Sequence, residues 1–181
     1  MIIKTFFAGF GGQGVLSMGY TLTYAGMLDD KFVTYFPSYG AEVRGGTANC
    51  TVAVGDEEIA SPIASEPEYL VALNRPSMIK FENFVSPGGL IFLNTSLIED
   101  RPGRHDLEVV EVPANQLAHE VANDRAANMV MLGALSGRTG IVQPGAFHEA
   151  IGRIFEKKKK VMDLNLKAFD RGFEFIQKQE R

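Results

Sequence analysis

A glycine-rich segment near the amino terminus has residue types and spacing that suit ligand binding. The run from Gly9 to Gly14 reads Gly-Phe-Gly-Gly-Gln-Gly and fits the pattern G-x-G-x-x-G. Backbone N–H groups in such a turn can hold an anion, and a following helix adds the positive end of its dipole. The candidate ligand-binding residues of this segment are Gly9, Gly11, Gly12, Gln13 and Gly14.

A second candidate segment carries a cation next to two glycines. Arg44 precedes Gly45 and Gly46, so the backbone can approach a ligand closely while the guanidinium binds a carboxylate or a phosphate. A surface or interface salt bridge, for instance with Glu42, is the alternative role for Arg44. Nearby hydroxyl groups add further hydrogen-bond donors. The candidate residues of this second loop are Ser38, Tyr39, Arg44, Gly45 and Gly46.

The glycine pattern by itself leaves three hypotheses open. An NAD-binding Rossmann domain would need an acidic residue at the end of the next strand for a ribose hydroxyl. Val33 to Phe36 ends without one, and Asp29 and Asp30 come before that strand. The glycines could instead only permit a tight turn and close helix packing, without any ligand. The third hypothesis is an anion that need not belong to a dinucleotide.

The remaining residue types that could do chemistry are few. Cys50 is the single cysteine, so the chain can form neither an intramolecular disulfide nor a self-contained iron–sulfur cluster, which needs about four cysteine ligands. We expect Cys50 to be a buried core residue, because it lies in an alternating apolar strand and no base is paired with it. The three histidines lack metal-ligand spacing. We therefore assign no catalytic and no metal-binding residue.

The composition limits the class of partner. A formal net charge of −4 and a pI near 5.4 argue against a nucleic-acid binder, which needs a basic face. The run Lys157 to Lys160 is flanked by acidic residues and is interpreted as a solvated helical stretch. Lys4 interrupts the amino-terminal apolar run, and no apolar stretch reaches about 18 residues. We therefore expect a cytoplasmic protein without membrane contact.

Strand-like and helix-like segments alternate along the chain, and this alternation predicts an α/β fold. We expect a single domain over residues 1–181, with three layers: a mainly parallel sheet and helices on both faces. An antiparallel hairpin is predicted around Thr47 to Ala60, with its turn at Gly55-Asp56. Asp124 is predicted to cap a helix that starts at Arg125, and further helices are predicted over about 144–179.

Both candidate loops follow early strands of the predicted sheet. Because ligands of open α/β sheets bind at the carboxyl ends of the strands, we expect the two loops to meet in one cleft. We also expect Gly11 to occupy a position that a side chain would obstruct.

Several segments together resemble one known family, the gamma subunits of 2-oxoacid:ferredoxin oxidoreductases. The run from Arg44 to Cys50 is most similar to the 2-oxoglutarate and branched-chain oxoacid members rather than the pyruvate members. The similarity extends over almost the whole chain. The segments that carry it are Gly9 to Val15, Phe36 to Cys50, Ser61-Pro62, Ala72 to Asn74, Asn128 to Gly133 and Asn165 to Phe169.

The resemblance implies a subunit of a larger enzyme that is inactive alone. Such an enzyme decarboxylates a 2-oxoacid on thiamine diphosphate with Mg, passes two electrons through iron–sulfur clusters to ferredoxin or a similar acceptor, and forms an acyl-coenzyme A. Alpha, beta and ferredoxin-like delta subunits are the implied partners, and they are expected to carry the cofactors. This chain has no Gly-Asp-Gly segment with a downstream asparagine pair for thiamine diphosphate.

Three alternatives stay open at this point. The chain could be the related subunit of an indolepyruvate oxidoreductase, whose loop also contains Arg-Gly-Gly. It could be a stand-alone Rossmann-type nucleotide-binding protein, or a purely structural assembly subunit.

Overall fold

One mixed sheet organises the part of the chain that the structure describes. The structure is a computed structural model that describes residues 1–39, 46–122 and 124–179, with only the backbone of Tyr39. The strands are β1 (Ile2–Phe10), β2 (Phe32–Tyr39), β3 (Thr47–Gly55), β4 (Tyr69–Ala72), β5 (Leu90–Asn94) and β6 (Glu108–Val112). The helices are α1 (Val15–Leu28), α2 (Arg75–Phe81), α3 (Ala114–Glu120), α4 (Ala127–Thr139), α5 (Pro144–Ile154) and α6 (Lys159–Gln179).

The strand order is β2-β3-β1-β4-β5-β6. β1, β4, β5 and β6 pair in parallel, whereas β3 is antiparallel to both of its neighbours, β1 and β2. The predicted α/β class, with a mainly parallel sheet and an antiparallel excursion, is therefore confirmed.

The position of the predicted hairpin turn is wrong. Gly55 ends β3 opposite Ile2, at the amino-terminal end of β1, and no strand follows between residues 56 and 60. The Asp56 N–H donates to the Met1 carbonyl at 3.3 Å, and its carboxylate pairs with Lys31 Nζ at 2.5 Å and lies 3.6 Å from the amino-terminal ammonium. The antiparallel excursion consists of β2 and β3, which pair from Phe32↔Gly55 onwards.

The sheet buries an apolar cluster on each face, as strands with both faces covered must. Helix α1 lies against one face, where Phe7 of β1 packs in the same cluster as Met18 and Leu22. Helix α2 covers part of the other face, where Phe6 of β1 stacks on Phe81 with ring centroids 4.8 Å apart. Alternate residues of β1 therefore pack into the apolar clusters on opposite faces of the sheet. These contacts fix the strand from both sides.

Helices α4 and α6 cross at very short distance. A Cβ on Gly133 would collide with the backbone carbonyl of Phe169, and a Cβ on Gly172 would collide with the backbone carbonyl of Val130. Helices approach this closely only where a residue lacks a side chain, since any larger residue would separate the two backbones. The crossing holds α6 against α4. It thereby fixes the position of α4, the helix that begins next to the candidate site.

The predicted cap of α4 is wrong. The helix begins at Ala127, after Ala126, and no side chain caps it. Asp124 lies outside the helix, with its carboxylate 2.7 Å from His119 Nδ1. Ala122 has a positive φ of 56°, which turns the chain before the helix starts. The helix therefore begins two residues later than predicted, after an irregular turn that contains Asp124.

Candidate functional site

The glycine-rich loop forms a tight turn between β1 and α1. The Phe10 N–H donates to Gln13 Oε1 at 2.7 Å, and the Gln13 N–H donates to the Phe10 carbonyl at 3.1 Å. Gly12 and Gly14 have positive φ values of 95° and 78°. Both values lie in the left-handed region that favours glycine. The sequence pattern therefore reflects a backbone requirement at these two positions.

The two candidate loops are adjacent at Gly46, and their convergence on one cleft stays a prediction. The Gly11 N–H donates to the Gly46 carbonyl at 3.1 Å, just beyond the last β1–β3 pair, Phe10↔Thr47. The expectation that Gly11 is sterically obstructed is wrong, because a Cβ there would meet no atom of the described residues within 4 Å. The crowded positions are Gly9, next to Val15, and Gly14.

Only part of the loop's backbone is available to a ligand. The N–H groups of Gly11 and Gln13 are used within the protein, so the backbone N–H groups that the sequence offers to an anion are not all free. The N–H groups of Gly12 and Gly14 find no acceptor among residues 1–39, 46–122 and 124–179. The first turn of α1 contains no acidic residue, so the positive end of its dipole is not neutralised locally.

A cavity of about 390 Å³ opens beside this loop at the carboxyl ends of β1, β4 and β5. The cavity lies where the strand order changes direction. From β1 the chain crosses through α1 to β2 on one side of β1, whereas β4 lies on the other side of β1. Such a switch point is the usual ligand position in open α/β sheets. The lining residues are Gly12, Gln13, Leu73, Asn94, Asn115, Asp124, Arg125 and Ala127.

Amide side chains shape the floor of this cavity. Gln13 Oε1 accepts from Asn74 Nδ2 at 2.7 Å, and Asn74 Oδ1 caps α2 by accepting from the Ser77 N–H at 3.0 Å. Asn94 Nδ2 donates to Asn115 Oδ1 at 2.8 Å. Because Gln13 Oε1 is occupied twice, the Gln13 NH₂ group is the part of that side chain left for a ligand.

Sequence reasoning missed most of these amides. Asn74 and Asn94 each directly follow a leucine at the end of a parallel strand, and this repeated Leu-Asn is the signal that could have identified them. A polar residue directly after a buried strand belongs to the ligand-binding edge of the sheet.

Among the described residues, Arg125 is the one cation and Asp124 the one carboxylate in the cavity lining. Its exposed guanidinium makes no ion pair with another residue in the described ranges. Arg125 also lines a neighbouring cavity of about 300 Å³ together with Ser17 and Asn128. Asn128 is only 8% exposed, and its Nδ2 donates to the Gly14 carbonyl at 3.4 Å. A cation and a row of amides thus face the same crevice as the α1 amino terminus.

The predicted residues of the second loop are only partly placed. Ser38 lies on β2 and pairs with Asn49 of β3. Because β3 separates β2 from β1, Ser38 does not line the cavity. Arg44, Gly45 and the side chain of Tyr39 lie outside the described residues. Their assignment stays a prediction.

Cys50 is buried, as expected for a core residue. Its Sγ lies 3.6 Å from the Val15 carbonyl, beneath α1. Burial raises the pKa of the thiol to about 12, because the low-polarity surroundings disfavour the thiolate. A thiol in this state is a poor nucleophile at neutral pH.

Neither a metal site nor a membrane span is evident in the described ranges. Within them, no three histidine, cysteine, aspartate or glutamate residues are grouped so that they could hold a metal ion. The one cysteine cannot ligate an iron–sulfur cluster by itself. Of the helices in residues 1–39, 46–122 and 124–179, none combines the length and the apolar character needed to cross a bilayer.

The family model for pyruvate ferredoxin/flavodoxin oxidoreductase matches residues 4–175. This chain belongs to that family. It is 39% identical over 178 residues to the ketoisovalerate oxidoreductase subunit VorA of Methanothermobacter marburgensis. The match covers 97% of this chain but 37% of VorA, so the chain spans little more than a third of that relative.

Two solved structures share the fold and confirm the resemblance to gamma subunits. The gamma subunit of keto/oxoacid ferredoxin oxidoreductase from Geobacter sulfurreducens has a TM-score of 0.83 at 26% identity, and the match covers 97% of this chain and 99% of that one. The 2-oxoglutarate:ferredoxin oxidoreductase of Magnetococcus marinus, with 2-oxoglutarate, coenzyme A and succinyl-CoA bound, has a TM-score of 0.89 at 26% identity. That match covers 98% of this chain and 31% of the other.

Proposed function

We propose that this chain is the gamma-type subunit, a single domain over residues 1–181, of a multi-subunit 2-oxoacid:ferredoxin oxidoreductase. The complex oxidises a 2-oxoacid such as 2-oxoglutarate, releases CO₂, transfers the acyl group to coenzyme A and delivers two electrons to ferredoxin or a similar acceptor. The observation that carries the proposal is the family match over residues 4–175, together with a fold that matches 99% of a solved gamma subunit.

The cofactors of this reaction belong to partner chains in our proposal. Thiamine diphosphate with Mg supplies the decarboxylation chemistry, and iron–sulfur clusters carry the electrons. In the described part of this chain no histidine, cysteine, aspartate and glutamate residues are grouped to hold a metal ion, and the sequence contains one cysteine. Alpha, beta and ferredoxin-like delta subunits are the proposed partners, and the complex is proposed to be cytoplasmic.

The crevice beside the glycine loop is the part of this chain that we assign to ligand binding. The Gly12 and Gly14 N–H groups and the α1 amino terminus favour negative charge, and Arg125 adds a cation. We assign Arg44 of the second loop to the same ligand on its sequence position, two residues before Gly46, which accepts a hydrogen bond from Gly11. An anionic group of coenzyme A or of the oxoacid fits this arrangement. Coenzyme A is bound in the Magnetococcus marinus enzyme, whose fold includes the same domain.

Replacing the two arginines in the assembled enzyme tests the ligand assignment. A charge-assisted hydrogen bond contributes about 1.5 to 3 kcal/mol, so Arg44→Ala or Arg125→Ala should raise the apparent KM for one anionic substrate roughly ten- to a hundred-fold. Arg44→Lys should restore only part of the affinity, because an ammonium lacks the bidentate fork. Steady-state kinetics in coenzyme A and in oxoacid, with assembly checked by gel filtration, measures both effects.

A matched control separates this role from a general effect of lost charge. Arg101 is exposed and pairs with Glu111 Oε1 at 2.8 Å, on the far edge of the sheet. Arg101→Ala should leave both Michaelis constants unchanged. If Arg44→Ala and Arg125→Ala behave like Arg101→Ala in a correctly assembled complex, the crevice does not bind an anionic substrate.

A further inference from the structure

Backbone groups decide which end of the Gln13 amide is left for a ligand. The Phe10 N–H can only donate, so the Gln13 atom 2.7 Å from it must be the carbonyl oxygen Oε1. The Asn74 amide is oriented in the same way, because its Oδ1 accepts from the Ser77 N–H at 3.0 Å. Asn74 Nδ2 therefore donates to Gln13 Oε1, at 2.7 Å, and occupies the second lone pair of that oxygen. Gln13 thus lines the cavity with its Nε2 group as the end that can still bind a ligand.

A second chain of contacts orients the Asn115 amide. Asn94 is 1% exposed, and its Oδ1 accepts from the backbone N–H groups of Ala114, at 3.2 Å, and Ser96, at 3.3 Å. Its Nδ2 group must then donate, and it does so to the Leu73 carbonyl at 3.4 Å and to Asn115 Oδ1 at 2.8 Å. These four contacts use the full hydrogen-bonding capacity of the Asn94 amide. The end of Asn115 that is left for a ligand is therefore its Nδ2 group.

Gln13 and Asn115 line the same cavity, and we call these two side chains the donor pair. Neither Gln13 Nε2 nor Asn115 Nδ2 has an acceptor within the part of the chain that the structure describes. An NH₂ group can only donate, so it recognises an atom that accepts. The one carboxylate of the described lining, Asp124, pairs with His119 Nδ1 at 2.7 Å. The donor pair and the Arg125 cation therefore favour a ligand group that accepts hydrogen bonds.

We propose that Asn74 and Asn94 are positioning residues, which hold the donor pair with its NH₂ groups toward the ligand. This inference rests on the proposed function. The recognised group carries acceptor atoms alone, as a carboxylate or a phosphate does. A group that itself donates, such as an amide NH₂ or an ammonium, is rejected because two N–H donors would face each other. Coenzyme A and 2-oxoacids both carry an acceptor-only group, and kinetics in each substrate distinguishes the two sources.

The contact from Asn74 is what excludes the opposite orientation of the Gln13 amide. The terminal torsion of a glutamine is broad and roughly two-fold, so an unrestrained amide presents its oxygen to a ligand about as readily as its nitrogen. After a flip, Gln13 Nε2 would face two donors, the Phe10 N–H and Asn74 Nδ2. Asn74 itself is 4% exposed and is held by the cap of α2, so it keeps its own orientation. Asn94, fixed by backbone groups, acts on Asn115 in the same way.

Exchanging the NH₂ groups for oxygen in the assembled enzyme tests the donor pair. Gln13→Glu and Asn115→Asp each keep an oxygen for the internal contacts and replace the NH₂ group by a carboxylate oxygen. Each should raise the apparent KM for the same anionic substrate at least about tenfold, while kcat changes less. A smaller fraction of assembled complex would instead lower the maximal rate and leave KM unchanged. Asn83→Asp is the matched control, because Asn83 is exposed just beyond the carboxyl end of α2, and it should keep wild-type KM values.

A double-mutant cycle tests the positioning role separately from the cap of α2. Asn74→Ser keeps a capping oxygen for the Ser77 N–H but is too short to contact Gln13, so the Tm of the free chain should stay close to that of the wild type. The KM should nevertheless rise roughly two- to tenfold, and Gln13→Ala, which adds no charge, should have an effect of similar size. In the Gln13→Ala background, Asn74→Ser should raise the KM no further, because the side chain that it positions is absent.

Two results would overturn the inference. Wild-type KM values for both coenzyme A and the oxoacid in Gln13→Glu and Asn115→Asp would show that the donor pair does not bind either substrate. A wild-type KM in Asn74→Ser, or KM effects of Asn74→Ser and Gln13→Ala that add independently, would show that Asn74 does not act through Gln13. A wild-type complex without oxoacid- and coenzyme A-dependent turnover would instead refute the proposed function, before any variant is compared.

Discussion

The conformation of Gly14 allows a quantitative test of the glycine loop. Gly14 has a φ of 78°, and a Cβ at this position would also collide with the Asn128 side-chain amide. Placing alanine in the left-handed region costs about 1 to 2 kcal/mol. Displacing the Asn128 amide removes its hydrogen bond to the Gly14 carbonyl, which costs about 0.5 to 1.5 kcal/mol. Alanine also lowers the conformational entropy of the unfolded chain relative to glycine, and this stabilises the folded state by about 0.4 to 1 kcal/mol.

We therefore expect Gly14→Ala to lower the free energy of unfolding by about 2 kcal/mol, which corresponds to a Tm lower by roughly 4 to 8 °C for a chain of this length. The measurement is calorimetric or denaturant unfolding of the isolated chain. Gly11→Ala is the matched control in the same loop, because Gly11 has open space around a Cβ and a φ outside the left-handed range. Gly11→Ala should be neutral or slightly stabilising.

The loop geometry would be refuted by either of two results. One is a Gly14→Ala variant with wild-type stability. The other is equal destabilisation by Gly11→Ala and Gly14→Ala, which would show that the two glycines have the same structural role.

The remaining predictions concern the core and the amide network. Cys50 should react with thiol reagents at pH 8 at least about a hundredfold more slowly in the folded chain than in urea, because its pKa is about 12; equal rates would contradict its burial. Gly172→Ala should destabilise the chain by about 1 to 3 kcal/mol by separating α4 from α6. Gly152→Ala, in open space on α5, should stabilise it by roughly 0.5 to 1 kcal/mol. Asn74→Ala should cost about 1 kcal/mol in unfolding experiments, through loss of the α2 cap, and an unchanged Tm would exclude that capping role.

The sequence predicts the elements that local chemistry determines. β1, the glycine turn and α1 follow from an apolar strand, a glycine cluster and a long apolar run, and the structure places all three as expected. These features depend on residues close together in the chain.

Features that depend on distant contacts were missed or misplaced. Which glycine of the loop is crowded depends on Asn128, a residue more than a hundred positions away, and local spacing pointed to Gly11 instead of Gly14. The amide network joins Gln13 to Asn74 across the switch point of the sheet. Tertiary packing decides such details, and a single sequence does not report it.

Omitting this chain from a reconstituted complex tests the central claim most directly. The assay measures oxoacid-dependent and coenzyme A-dependent formation of acyl-coenzyme A, together with reduction of ferredoxin or a dye, by the partner subunits with and without this chain. We predict that the chain alone has no turnover, that the partners alone form little acyl-coenzyme A, and that adding the chain restores the reaction at a stoichiometric ratio. Turnover by the isolated chain, or full activity of the partners without it, would contradict its role as an essential gamma-type subunit.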